Sequence, residues 1–131
     1  MNQFPLYIRT LRKKGMEGHR GVFCSVDIPK DSIFEMAPVL VIPKKQHKSV
    51  YGTIISDYHY EYSDNGDSCL ALGYGSLYNH SFNPNAEYEM LVKTSEMAFR
   101  ALRKITAGEE IRVNYNGDFD NLEEVWFEVK E

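Results

Sequence analysis

The chain has 131 residues, a formal charge of −4, 43% hydrophobic and 26% charged residues. A chain of that length folds as one domain, burying about two-thirds of its unfolded surface in a single core, and this composition excludes disorder. Net acidity disfavours direct binding to nucleic acid and favours a cationic partner such as a lysine-rich peptide.

In chain order, "LYIRTLR" from Leu6 reads as a strand, followed by a glycine-containing loop with Gly15, Gly18 and Gly21. "GVFCSVDI" reads as a second strand ending at the Pro29 turn, and "IFEMAPVLVI" as a third, with Pro38 predicting an edge strand or a bulge. Val50, Ile54, Ile55 and Tyr58 recur at helical spacing, which predicts an internal helix weakened by Gly52. "SDNGDS" predicts a tight loop at Asn65-Gly66.

"AEYEMLV" alternates, and "MAFRALRKI", "TAGE" and "EIRVNY" read as strand, turn and strand, with Ile111, Val113 and Tyr115 sharing one face. The segment "NLEEVWFEVKE" places Leu122, Val125, Trp126 and Val129 at helical spacing behind Asp120 and Asn121. This is a β-rich pattern with one short internal helix and one C-terminal helix, and it lacks the alternating helices and G-x-G-x-x-G of a dinucleotide-binding fold.

Cys24 and Cys69 belong to no CxxC or CxH pair, so neither a cysteine-based metal site nor a disulfide framework is expected. "MNQFPLYIRTLRKK" has no apolar signal-like core, and no stretch is apolar enough to span a membrane. A soluble intracellular protein is expected, cytoplasmic or nuclear, with no membrane partner.

Taken singly, the chemically capable residues have ordinary structural explanations: glycines for turns, Asn79 and Asn85 for caps, His80 and Tyr115 for a satisfied interior. In order along the chain, however, "GHRGVF", "GSLYNHSFNPNAEY" and "AGEEIRVNY" resemble the SET domain of protein-lysine methyltransferases. That family carries a glycine-containing loop, an R-F-x-N-H-S-x-x-P-N segment and a G-E-E-I/L-x-x-x-Y segment. The resemblance spans about residues 6–119 and is similar in type to the small stand-alone SET proteins of viruses and bacteria.

The resemblance implies a mainly β, β-clip fold of several small sheets with a C-terminal pseudoknot, filling residues 1–131 as one domain. It implies transfer of methyl groups from S-adenosylmethionine to a lysine ε-amine, with S-adenosylhomocysteine as product and mono- or dimethylation as outcome. Gly18, His19, Arg20, Gly21, Tyr58, Asn79 and His80 would contact the cofactor, with Tyr60 a rival to Tyr58. Tyr115 matches the catalytic tyrosine, and Tyr74, Tyr88, Val113 and Phe119 would line the substrate channel.

Ser76 and Tyr78 depart from the family's Arg and Phe/Ile, "NYNGDF" replaces D-Y-G-D, and the zinc-binding cysteines that follow the domain in larger relatives are missing. About residues 120–131 would take their place, Trp126 either covering the adenine, packing its helix to the core or meeting a second copy in a homodimer. The expected partner is a lysine-containing protein such as a histone tail or another basic segment. A non-catalytic peptide-binding module and a methyltransferase of small amines are the alternative readings.

Overall fold

The computed structural model describes residues 4–12, 14, 15 and 18–125. Nine strands form among them: β1 (Leu6–Thr10), β2 (Arg20–Cys24), β3 (Ile33–Ile42), β4 (His59–Glu61), β5 (Ser68–Ala71), β6 (Asn79–His80), β7 (Ala86–Leu91), β8 (Glu96–Ala101) and β9 (Glu110–Val113). They build a four-stranded sheet ordered β1-β2-β9-β6 and a five-stranded sheet ordered β4-β5-β3-β8-β7. Every pairing between these strands is antiparallel except β6 with β9, which run parallel.

The inward faces of both sheets meet in one core that includes Val22, Phe34, Met97, Phe99, Ile111 and Val113. Period-two alternation accounts for most of it, since strands with one buried face require apolar residues at every second position. Tyr78 is fully buried among them, its ring 4.7 Å from Phe99 and 5.9 Å from Phe34.

β3 is central, contrary to the edge position that Pro38 predicts, because its two partners are staggered. Residues 33–38 pair with β8 and residues 39–42 with β5, so Pro38 falls at the handover, where its carbonyl accepts from Leu72 N–H at 2.9 Å. A bulge between Ile33 and Glu35 breaks the alternation and turns two consecutive residues, Phe34 and Glu35, into the core.

The internal helix is much shorter than its apolar spacing predicts. It is one turn, α1 (His47–Val50), flanked by 3₁₀ turns at Lys44–Gln46 and Ile54–Asp57. The path breaks at Tyr51, where the backbone becomes extended, and at left-handed Gly52. Ile54, Ile55 and Tyr58 consequently remain exposed, so their spacing reflects no buried helical face. After Tyr58 the chain enters β4, a strand the sequence pattern hides, and the Asn65-Gly66 loop closes the β4–β5 hairpin.

Residues 121–125 form no regular element, and the rest of the expected C-terminal helix, Trp126 included, lies outside the described residues. No helix among the described residues is long and apolar enough to cross a membrane.

Candidate active site

Within the run Asn79–Asn85, His80, Ser81 and Asn85 are buried, and protein partners replace those that water would supply. Ser81 N–H donates to Val113 O at 2.9 Å, continuing the two-residue β6–β9 ladder. His80 is 2% exposed, and its Nδ1 accepts from Tyr115 N–H at 2.9 Å, which places the ring proton on Nε2. Asn85, also buried, acts as an added rung: its Nδ2 donates to Glu110 O at 2.8 Å and its Oδ1 accepts from Arg112 N–H at 2.9 Å. Such bonds offset the cost of burying polar groups.

This crossing sets two cavities side by side. The smaller, about 270 Å³, brings together Gly18, His19, Arg20 and Gly21 from the loop into β2, Asn79 from β6, and Tyr58 and Tyr115. Gly18 has φ +83°, a left-handed backbone that favours glycine. Gly21 serves a different need, because a Cβ there would lie 2.6 Å from Glu110 Oε2. Glu110 uses that space to accept from Asn79 Nδ2 at 2.7 Å, while the same Nδ2 donates to Arg20 O at 2.7 Å. With both amide hydrogens committed, Asn79 offers the cleft its Oδ1 as an acceptor.

The larger cavity, about 540 Å³, is lined by Tyr58, Tyr60, Tyr88 and Tyr115, with Asp57, Glu61 and Glu123 adding negative charge. Tyr60 donates its hydroxyl to Gly75 O at 2.8 Å, Tyr115 to Tyr78 O at 2.5 Å and Tyr88 to Tyr115 O at 3.3 Å. Each phenol therefore spends its only proton on a main-chain carbonyl and keeps oxygen lone pairs for whatever enters. The rings of Tyr60 and Tyr88 meet edge to face at 4.9 Å. Tyr58 and Tyr115 line both cavities and form the wall they share.

Four expected site residues lie elsewhere. His80 is turned inward against Tyr115 and Phe82, and acts on the site by fixing the Tyr115 backbone. Val113 is fully buried in the core, Tyr74 donates its hydroxyl to Leu6 O at 3.1 Å, and Phe119 is 48% exposed. None of these lines either cavity. Sequence reasoning missed Glu110 as the partner of Asn79, although it stands in "GEEI"; the signal is the space that Gly21 leaves for its carboxylate across the β2–β9 pair, which no linear pattern displays. Tyr60 lines the larger cavity and not the smaller one, so of the two rivals Tyr58 is the tyrosine at the smaller cleft.

The SET domain family model matches residues 19–116. The chain belongs to the SET-domain family. A histone-lysine N-methyltransferase of Schizosaccharomyces pombe, H3 lysine-37 specific, is 35% identical over 126 residues, covering 95% of this chain and 78% of its own. A Plasmodium falciparum crystal structure described as a histone methyltransferase is 32% identical with a TM-score of 0.64, covering 86% of this chain and 98% of that one. Both are eukaryotic proteins, so a particular tie to viral and bacterial proteins gains no support. The structure of ctPRC2 in an autoinhibited conformation bound to S-adenosylmethionine shares the fold, with a TM-score of 0.68 at 18% identity over 91% of this chain and 16% of that one. Among SET domains the present one is an enzyme of the protein-lysine N-methyltransferase class.

The SET core also has a defined response to alkali. Burial, the leading cause in each case, raises the Tyr60, Tyr78, Tyr88 and Tyr115 hydroxyls above their ordinary value, with Tyr58 adding to the shift at Tyr115 and Glu61 at Tyr88. The unfolded chain ionises its tyrosines near pH 10, whereas the folded chain holds these four protonated. Their contribution is complete below about pH 10 and is lost as pH rises further, because the unfolded state then binds fewer protons. Ultraviolet titration should show these four ionising only with unfolding; titration of all nine tyrosines near pH 10 in a folded chain would contradict this.

Proposed function

We propose that this SET-domain enzyme binds S-adenosylmethionine in the smaller cleft and transfers its methyl group to a lysine that enters from the larger cavity. The observation that carries this reading is the shared wall: Tyr58 and Tyr115 border both cavities, so two reactants entering from opposite sides meet there. The residues present fit the cofactor chemically. The acceptor Oδ1 of Asn79 suits an ammonium group, the Gly18–Gly21 backbone allows close approach, and Ile8, Val22 and Leu77 supply apolar lining.

When bound, the cofactor supplies an electrophilic methyl on a sulfonium. The chain's task is orientation and exclusion of water, which supply most of the rate in an in-line displacement. The lysine must attack as the neutral amine, which at pH 7 is about one molecule in 10³, a cost of roughly 4–5 kcal/mol. The cofactor's positive charge beside the amine lowers that cost, because a like charge favours the uncharged form. The Tyr115 oxygen, its proton held by Tyr78 O, accepts weak C–H···O contacts and so aligns donor and acceptor. We assign it an orienting role and no role as a general base.

Asp57, Glu61 and Glu123 at the larger cavity suit a basic segment, and the fission yeast relative acts on a histone, so a histone tail is the substrate class proposed here. Tyr88 lines the larger cavity and keeps its hydroxyl lone pairs free to hold a water in the place of a second methyl, which favours mono- or dimethylation.

Labelled cofactor with histone peptides, together with calorimetry, tests the reading. Tyr115→Phe should lower kcat on the order of 10²-fold with little change in cofactor affinity. Asn79→Ala should weaken cofactor binding by about 10- to 100-fold through loss of a charge-assisted bond. Absence of cofactor binding would overturn the proposal, and binding without transfer would support a non-catalytic module. Tyr88→Phe should move products toward higher methylation by mass spectrometry; an unchanged distribution would remove Tyr88 from that role.

A further inference from the structure

Glu35 lies in the core at 2% exposure, yet it is a carboxylate and does not line either cavity. The β3 bulge aims it inward, beneath the turn formed by residues 73–78. Its Oε2 accepts from Tyr74 N–H at 2.8 Å and its Oε1 accepts from the Tyr78 hydroxyl at 2.7 Å, so one carboxylate grips both ends of that turn. Gly73 lets it approach closely, since a Cβ there would stand 2.5 Å from Oε2. Between and at these anchors, Gly75 O and Tyr78 O are the carbonyls that receive the hydroxyl protons of Tyr60 and Tyr115.

We propose that Glu35 is a positioning residue for methyl transfer, setting the Tyr60 and Tyr115 hydroxyls through the carbonyls of the 73–78 turn that it anchors. The inference rests on the methyltransferase reading above. A buried carboxylate that loses an accepted bond incurs a desolvation penalty, so the turn resists displacement. Small displacements at such a site are expensive in rate, because a misplacement of about 1 Å can lower it 10²-fold. Glu35 touches neither reactant. Its effect is confined to the orientation of groups that do.

Glu35→Gln is nearly isosteric but replaces one acceptor with a donor, which either opposes Tyr74 N–H or reverses the Tyr78 bond and leaves the Tyr78 hydroxyl proton without its acceptor. Assayed well below its unfolding midpoint, E35Q should lose about tenfold or more in kcat, keep its cofactor Kd within about twofold, and show an altered methylation distribution. Tyr78→Phe, which leaves the bond to Tyr74 N–H in place, should give the same pattern more weakly, and the double variant should be no worse than E35Q. If E35Q does not fold, Tyr78→Phe carries the test. Wild-type kcat and product distribution in either folded variant would overturn the positioning role, leaving Glu35 purely structural. A wild-type protein that transfers no methyl group would overturn both this and the reading beneath it.

Discussion

Asn79 and His80 pair in parallel with Arg112 and Val113, and the rest of the site depends on that short ladder. Two residues of strand are too few to hold segments so far apart in the chain. The pairing persists because side chains extend it: the His80 imidazole holds the Tyr115 amide, and the Asn85 amide bonds the β9 backbone at two points. Each bond is modest alone, about 1 kcal/mol net, but a buried polar group left without its partner costs more than that. The crossing therefore forms as a unit, and forming it sets Asn79 in the smaller cleft and Tyr115 in the wall common to both cavities.

The same logic separates residues that meet reactants from residues that hold them in place. Asn79 faces the smaller cleft because Glu110 and the Arg20 carbonyl take both of its amide hydrogens. Tyr115 presents its oxygen because Tyr78 O takes its proton. His80 and Glu35 reach no cavity, yet each fixes something that does. The acceptor-rich lining of the larger cavity follows from backbone carbonyls as much as from the tyrosines themselves.

Much of this architecture was legible beforehand. β3, β7 and β8 lie where extended segments are read, β9 alternates with period two, and the ordered "GHRG", "NHS" and "GEEIRVNY" segments locate the loop and the two strands that meet at the smaller cleft. What escaped notice depends on geometry that periodicity does not encode. A bulge buries Glu35 beside Phe34, where strict alternation would expose one of them. Staggered partners place Pro38 mid-sheet. Ile54 and Ile55 mimic a buried helical face but stay exposed on a 3₁₀ turn. His80 has the chemistry to bind a ligand or a backbone amide, and only the path of residues 113–115 decides between them.

The most direct test of the crossing is amide hydrogen exchange at Ser81 and Tyr115, whose N–H groups are donated to Val113 O and His80 Nδ1. If the polar run is an interior surface locked by β9, both amides should exchange only with global unfolding, as slowly as those of the central β3–β8 pair. Exchange of either at the rate of an exposed turn would show that "NHS" is a surface loop, and the shared wall between the two cavities would lose its support.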